Sequence, residues 1–177
     1  MDILVVPNAD IPSRGTVRWL NHSAPCALGR NGVIAADAKR EGDGATPLGA
    51  FTLRRVLWRY DRGDTPTTSL PIDVIAENDG WCDDPRRPEY NRPVMLPFAG
   101  SAERLWRDDR VYDVVVVLGH NDAPPRPSKG SAIFLHVAKP DFAPTEGCVA
   151  MAEDELRRLV ADVRPGDRLV VVAPVPS

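Results

Sequence analysis

Cysteine and histidine are both scarce in this chain, which has three of each among its 177 residues. Three cysteines cannot all pair in disulfides, and these form no Cys-x-x-Cys motif. The six residues match no ligand spacing of a structural metal site; they are Cys26, Cys82, Cys148, His22, His120 and His136. The sequence therefore predicts no metal and no cofactor, and at least one free thiol needs an explanation.

Long apolar runs and an excess of positive charge are also absent. No run approaches the roughly 18 apolar residues of a membrane-spanning helix, so no membrane span is predicted. The apolar stretch 3–6 has no basic segment before it and is too short for a signal peptide, so the chain as written is expected to be cytoplasmic. A formal net charge of -3 without Lys/Arg clusters argues against a nucleic-acid partner. Nothing indicates an oligomeric state.

The length and the proline content predict one mainly β domain over residues 1–177. A chain of this length buries a core without disulfide or metal support. Its 18 prolines favour loops and edge strands over long helices. Short β-type runs are bounded by Gly, Pro, Asn and Asp; they cover residues 3–6, 16–20, 33–36, 51–58, 111–118, 132–137 and 169–172. The run from Val114 to Leu118 suits a central strand that is buried on both faces.

A few helices complete the predicted fold. Apolar residues recur with helical spacing from Leu156 to Val163, acidic residues occupy the first turn, and Pro165-Gly166 ends the pattern. A shorter helix is predicted over residues 101–109, with Ser101 as its N-cap. Between these elements and the early strands, residues 59–92 are expected to form a long excursion that faces a substrate.

Cys148 and His136 are the candidate nucleophile and base. His136 lies twelve residues before Cys148, in an apolar run that predicts a rigid strand. A thiolate is the reactive form of cysteine, and a nearby imidazole favours it. Taken alone, a Gly-Cys pair or a histidine in an apolar strand is more commonly a packing residue. Cys26 is expected to be buried, and Cys82 lies in a turn-rich segment that fits a pocket wall.

The residues around Cys148 fit the same chemistry. Gly147 permits a tight turn that aims backbone N–H groups at a substrate carbonyl. Thr145 offers a hydroxyl that braces the turn or donates to substrate. Glu146 is expected to point to solvent, because a carboxylate beside a thiolate opposes its ionisation.

Two motifs and the histidine together resemble a known family. Residues 46–51 match a Thr-Pro-x-Gly-x-Phe pattern, and residues 145–148 match Ser/Thr-x-Gly-Cys. With His136 between them, these segments resemble the YkuD-type L,D-transpeptidase catalytic domain over roughly residues 3 to 173. The resemblance implies a mostly β, sandwich-like domain with the thiol near the mouth of a pocket. It also implies acyl transfer from a peptidoglycan stem peptide, with release of D-alanine, in the periplasm or cell envelope.

The resemblance also implies roles for individual residues. Cys148 is the nucleophile, His136 the base, Gly147 and Cys148 supply backbone oxyanion donors, and Thr145 supports the site. The chain departs from the family pattern at two positions. At Glu146 the family commonly has His or another basic or small residue, and at Ala150 it often has Arg or Asn. The interval between His136 and Cys148 is also shorter than usual.

Four further residues are candidates for binding substrate. Arg92 has a guanidinium that pairs bidentately with a carboxylate, although a solvated loop arginine fits equally well. His120 fits a turn residue better than a second base. Trp81 and Tyr90 fit either a pocket or the core.

Three functions remain open. The leading hypothesis is a transpeptidase that passes a stem peptide from Cys148 to an amine, in cell-wall cross-linking or protein attachment. The same thiol serves equally in a hydrolase, either an L,D-carboxypeptidase or a peptidoglycan amidase. A peptidoglycan-binding module that has lost catalysis is the third, although an intact cysteine and histidine argue against it.

Overall fold

β-strands form most of the ordered structure, as the sequence predicts. The computed structural model describes residues 1–174. Its strands are β1 Asp2–Pro7, β2 Arg14–Trp19, β3 His22–Ala27, β4 Val33–Ile34, β5 Thr46–Pro47, β6 Gly49–Trp58, β7 Ile72–Val74, β8 Asp79–Cys82, β9 Pro93–Met95, β10 Ala102–Arg104, β11 Val114–Leu118, β12 Phe134–Val137, β13 Val149–Met151 and β14 Arg168–Val171. The single α-helix within these residues is α1, Glu153–Asp162.

Nine strands form one sheet that closes on itself. Their order is β11-β12-β13-β3-β2-β1-β14-β6-β7, and β11 also pairs antiparallel with β6. The long strand β6 makes this closure possible, because its first half pairs with β14 and its second half pairs with β11. The second half also pairs with β7. Eight strands therefore form a ring, and β7 extends it at one side. A three-stranded sheet, β10-β8-β9, and the pair β4-β5 complete the strand pairing.

The main core lies against one face of the ring. Alternate residues of its strands meet there, such as Ile3 and Val5 of β1 and Leu169 and Val171 of β14. The helix α1 packs on the same core through Leu156, Leu159 and Val160, as the helical spacing predicts. Alternation in these strands follows from the two-residue repeat of side-chain direction.

A second core lies on the other face of β11 and β12. Val114 and Val116 of β11 contact the main core, whereas Val115 and Val117 contact the second. The predicted burial of this strand on both faces is therefore confirmed. Trp81 of β8 and Leu105 belong to the second core, so the small sheet contributes to the cover over this face.

The predicted helix over residues 101–109 is wrong. Residues 102–104 form β10, which pairs antiparallel with β8 so that Ala102 lies opposite Cys82. The segment is too short and too polar for its weak helical spacing to outweigh a strand partner. The excursion predicted over residues 59–92 is largely packed, since it contains β7 and β8 and buries Leu70 and Ile75.

Within residues 1–174, no helix is both long enough and apolar enough to cross a membrane.

Candidate active site

Two adjacent strands bring Cys148 and His136 to one cavity. His136 lies on β12, and Cys148 is the residue before β13, which runs parallel to β12 with His136 opposite Ala150. Both side chains line a cavity of about 500 Å³. Both residues are nearly buried, with 8% of Cys148 and 7% of His136 exposed. The thiol and the imidazole therefore face one cavity that is large enough for a small molecule.

The turn before Cys148 is held by its own side chains. The Thr145 hydroxyl donates to the Cys148 carbonyl at 2.7 Å and accepts from the Gly147 N–H at 3.1 Å. Gly147 has φ +134°, and a Cβ there would lie 2.9 Å from the Ala45 carbonyl oxygen. Only glycine fits this position, because the backbone angle and the close approach both exclude a side chain.

The Thr-Pro segment lies directly behind this turn. The Thr46 hydroxyl accepts from the Gly29 N–H at 2.9 Å and lies 3.4 Å from the Cys148 carbonyl oxygen. The Arg30 N–H donates to the Thr145 carbonyl at 2.8 Å. The two motifs that are far apart in sequence thus meet in space, and Thr46 braces the turn that carries the thiol.

The Cys148 thiol is held by two backbone groups. Its S–H donates to the Ala132 carbonyl at 3.2 Å, and Sγ accepts from the Phe134 N–H at 3.3 Å. Burial raises the pKa of this thiol to about 12, and the negative charge of Glu103 adds to the shift. At neutral pH the resting residue is therefore a thiol and not a thiolate.

His136 is oriented as a base. Its Nδ1 lies 2.9 Å from the Val137 carbonyl oxygen, which only accepts, so Nδ1 carries the proton and Nε2 has the free lone pair. The ring of Tyr112 packs edge-on against it at 5.3 Å. Burial lowers the pKa of His136 to about 4, so the imidazole is neutral at pH 7.

Charges of both signs surround the pair. The Tyr112 hydroxyl donates to Glu103 at 2.5 Å, and Arg107 lies 3.8 Å from the same carboxylate. Burial raises the pKa of Glu103 and raises that of Tyr112 well above its usual value. Lys139 and Asp83 also line the cavity. The cavity wall therefore carries both cationic and anionic side chains.

Glu146 lies at the solvent-exposed edge of the Cys148 cavity and extends into solvent, as expected. Its side chain is 77% exposed and forms an ion pair with Arg30. Its carboxylate is thus largely in solvent, where its effect on the thiol is weakened by screening.

The predicted oxyanion donors differ in their hydrogen bonds. The Gly147 N–H already donates to Thr145, so binding an oxyanion would compete with that bond. The Cys148 N–H is the other predicted donor. Both roles stay predictions.

Trp81 and Arg92 line a different cavity from Cys148. This second cavity also measures about 500 Å³. Arg92 is exposed at its rim. The Trp81 ring stands perpendicular to Phe134 at 5.1 Å, and its indole N–H donates to Asn91 at 2.9 Å. Ile133 lines both cavities. Substrate binding by Trp81 and Arg92 stays a prediction, and it would take place in this second cavity.

Tyr90 and His120 are buried behind the cavity wall. The Tyr90 hydroxyl donates at 2.5 Å to Glu41, which lines the Cys148 cavity. His120 Nε2 donates to the Lys129 carbonyl at 3.0 Å, and its ring packs against Phe51. Neither residue is among those that line the Cys148 cavity in the described chain. Direct substrate contact by either stays a prediction.

The contacts of three side chains of the site were not anticipated from the sequence. The half-buried Glu103 accepts from the buried Tyr112, whose ring packs on His136, and Asn91 accepts from the Ala132 N–H at 3.1 Å. The strand-like spacing of Ala102 to Arg104 was the available signal for Glu103. The hydrogen bond between Asn91 and Ala132 carried no such signal, because the two residues are 41 positions apart.

No group of three or more His, Cys, Asp or Glu side chains in residues 1–174 is arranged to hold a metal ion. Cys26 is fully buried, as expected, and burial raises its pKa to about 12. Cys82 is also buried and free.

A thiol and a correctly oriented imidazole in one cavity of a mostly β fold define a candidate cysteine acyl-transfer site. Residues 10–172 match the L,D-transpeptidase catalytic domain family, YkuD, and the chain belongs to this family. The resemblance seen in the sequence motifs is thereby confirmed.

Solved structures of similar proteins carry the same family name. One is L,D-transpeptidase 1 of Mycobacterium tuberculosis, with 14% identity, a TM-score of 0.42, and coverage of 97% of this chain and 59% of that chain. Another is an L,D-transpeptidase from Mycobacterium smegmatis, with 16% identity, a TM-score of 0.43, and coverage of 97% and 58%. The chain thus spans less than two thirds of either structure. No curated protein sequence matches it significantly.

Proposed function

We propose that the protein is a cysteine acyltransferase of the L,D-transpeptidase type, with residues 1–177 as one catalytic domain. It forms a thioester between Cys148 and a peptidoglycan stem peptide and passes the acyl group to an amine, in cell-wall cross-linking or protein attachment. Its place of action is the cell envelope. The observation that carries this proposal is that Cys148 and His136 face one cavity, with Nε2 of His136 as the unprotonated ring nitrogen.

The chemistry begins from a neutral pair. Because the thiol and the imidazole are both uncharged at neutral pH, Nε2 of His136 takes the thiol proton as Sγ attacks the substrate carbonyl carbon. The resulting imidazolium gives that proton to the leaving amine as the C–N bond breaks, which leaves a thioester. The incoming amine then attacks the thioester and its proton passes to His136. As the C–S bond breaks, the imidazolium returns that proton to Sγ, which restores the neutral thiol and imidazole.

The negative tetrahedral intermediate needs backbone donors. The Cys148 N–H lies in the turn that Thr145 and Gly147 shape, and we assign it as the principal oxyanion donor. Thr145 acts as a support, since its hydroxyl holds the Cys148 carbonyl at 2.7 Å. Preorganised donors of this kind stabilise the transition state without reorganising during the reaction.

The cavity charges suit a stem peptide. Of the cations on the cavity wall, Lys139 suits a substrate carboxylate, since Arg107 is already paired with Asp109; Asp83 and Glu103 suit an ammonium group. A peptide that carries both kinds of group meets complementary partners on the cavity wall.

A carbapenem provides the first test, because it acylates a nucleophile that recognises a peptide-like carbonyl. Intact mass spectrometry is expected to show one adduct, on Cys148, and none in Cys148→Ala. Absence of an adduct on the folded wild type, or an adduct that persists in Cys148→Ala, would contradict the proposal.

Competition between water and an amine then separates transfer from hydrolysis. Purified muropeptides are incubated with and without an added D-amino acid, and the products are resolved by liquid chromatography and mass spectrometry. We expect an exchanged or cross-linked product that depends on the amine. Cleavage products alone, at every amine concentration, would identify a hydrolase of the same fold.

A further inference from the structure

One buried asparagine, Asn91, joins three segments of the chain behind the Cys148 cavity. Asn91 is 6% exposed and uses all four of its side-chain hydrogen-bonding positions. Its Oδ1 accepts from Trp81 Nε1 at 2.9 Å and from the Ala132 N–H at 3.1 Å. Its Nδ2 donates to the carbonyls of residues 120 and 121 at 3.0 and 2.8 Å. A buried amide with this many partners is held in one orientation.

The first path from Asn91 to the thiol runs through Ala132. The Ala132 carbonyl accepts the Cys148 thiol proton at 3.2 Å. Ala132 has φ +51°, a conformation that residues with a Cβ rarely adopt. The hydrogen bond from its N–H to Asn91 holds the residue in that conformation. The direction of the carbonyl that receives the thiol proton therefore depends on Asn91.

A second path runs through Trp81 and Phe134. Asn91 fixes the indole of Trp81, whose ring stands at 88° to the ring of Phe134. The Phe134 N–H is the donor to Sγ of Cys148 at 3.3 Å. Ala132, which accepts the thiol proton, is thus itself a partner of Asn91. Phe134, which donates to Sγ, packs against another partner, Trp81.

We propose that Asn91 is a positioning residue for the nucleophile: through Ala132 it fixes the orientation of the Cys148 thiol and of its proton before substrate binds. The inference rests on the proposed function and deepens it. The charged or titratable groups that line the cavity with Cys148 or act on its charge are His136, Glu103, Arg107, Lys39, Tyr112, Glu41, Asp83, Lys139 and Glu146. Within residues 1–174 the Asn91 side chain bonds to none of their side chains, so a substitution at Asn91 leaves them in place.

The chain provides a matched control for the test. Asn121, like Asn91, has a positive φ, +47° against +56°. Its side chain makes three hydrogen bonds, against four for Asn91. They go to residues 126 and 130, and none goes to Trp81 or Ala132. Glycine tolerates both backbone conformations, so Asn91→Gly and Asn121→Gly each remove side-chain bonds without adding strain. The Asn121 carbonyl that Asn91 contacts is retained in the control.

The readout is the rate at which iodoacetamide alkylates Cys148, followed by peptide mass spectrometry from pH 8 to pH 10. Without Asn91 the Ala132 carbonyl turns away from the thiol proton, which disfavours the protonated thiol. The opposing donor, the Phe134 N–H, belongs to β12 and is kept in place by the pairing of that strand with β11. Asn91→Gly is therefore expected to react about tenfold faster than wild type at each pH, equivalent to a shift of about one pH unit. Asn121→Gly is expected to follow wild type. Identical profiles for all three proteins, or equal shifts in both variants, would overturn the proposal.

A milder variant covers the case in which Asn91→Gly does not fold. Trp81→Phe removes one of the four bonds of Asn91 and keeps an aromatic ring on Phe134. It is expected to accelerate alkylation in the same direction by a smaller factor, and an unchanged rate there would also overturn the proposal. Because no substrate is needed, a shifted profile in a protein without muropeptide turnover would contradict only the proposed function. Turnover with an unshifted profile would overturn only the role of Asn91.

Discussion

At the scale of single residues, the site consists of two neutral groups. Burial raises the pKa of Cys148 and lowers that of His136, so each group is held in its uncharged form. A preformed thiolate–imidazolium pair, as the sequence motif alone would favour, is not the resting state. In the proposed mechanism, proton transfer therefore accompanies the attack on substrate, and Nε2 of His136 receives the proton because Nδ1 is bonded to the Val137 carbonyl.

Removing either member of the pair tests this assignment. Cys148→Ala is expected to reduce muropeptide turnover to background, because no other nucleophile replaces the thiol. His136→Ala is expected to reduce it by about 10²- to 10⁴-fold, the usual contribution of a general base. Circular dichroism and the melting temperature establish that both variants are folded. Equal turnover by wild type and Cys148→Ala would show that the protein acts by another route.

The pH dependence of alkylation tests the neutral state directly. Below a pKa of about 12 the thiolate fraction of Cys148 rises about tenfold per pH unit. The rate of alkylation by iodoacetamide is therefore expected to be slow at pH 7 and to rise by that factor per unit up to pH 10. Peptide mapping separates Cys148 from the buried Cys26 and Cys82. A fast rate that does not change with pH would indicate a preformed ion pair instead.

At the scale of elements, the position of Cys148 depends on the turn between β12 and β13. Thr145 and Gly147 shape the turn, and Thr46 supports it from a segment about one hundred residues earlier. The parallel pairing of β12 with β13 places His136 opposite Ala150, two residues beyond the thiol. The turn and the strand pairing together bring the thiol and the imidazole to one cavity.

Gly147→Ala is expected to weaken this element. A Cβ at φ +134° is strained and would also meet the Ala45 carbonyl at 2.9 Å. Gly166→Ala is the matched control, since Gly166 has φ +95° but nothing within 4 Å of its Cβ position. We expect Gly147→Ala to lower the free energy of unfolding by about 1–3 kcal/mol more than Gly166→Ala, measured by urea denaturation. Equal losses would mean that the close approach to Ala45 relaxes at little cost.

Elements were predictable where burial or periodicity was strong. The valine run of β11 indicated a doubly buried strand, and the spacing from Leu156 to Val163 indicated α1. β3 was not predicted, because His22, Ser23 and Pro25 interrupt its apolar pattern, although it pairs on both sides. The segment that forms β10 was predicted as a helix, because its partner β8 is not visible in local sequence.

At the scale of the whole molecule, the burial of His136 makes the stability of the fold depend on its protonation state. His136 lies on β12 between two cores, so its imidazole has little contact with water. A buried neutral histidine resists protonation in the folded state, whereas the same side chain is freely protonated when the chain unfolds.

Stability is therefore expected to depend on pH through His136. Above its unfolded pKa of about 6.5 the imidazole is neutral in both states and the full stability is present. As pH falls towards about 4, only the unfolded state takes up the proton. The His136 contribution to the free energy of unfolding then falls by roughly 3 kcal/mol. Chemical denaturation of wild type and His136→Gln at several pH values between 7 and 4 measures this difference.

The comparison with His136→Gln isolates that contribution. Burial raises the pKa of Glu103 and of Asp113, and these carboxyls act in the opposite direction as pH falls. Both remain in the variant, so their effect cancels in the difference. A difference between the two proteins that does not change from pH 7 to pH 4 would show that His136 titrates normally in the folded protein.

The sequence by itself determined the mostly β class, the central strand, the long helix and the family, and it pointed to Cys148 and His136 as the candidate nucleophile and base. These follow from local patterns: alternation, helical spacing, and the motifs around Cys148 and Thr46. The tertiary structure alone decided the closed ring, the neutral state of Cys148 and His136, and the contacts of Asn91 and Glu103. Those features depend on burial and on hydrogen bonds between distant segments, and neither is encoded in the spacing of neighbouring residues.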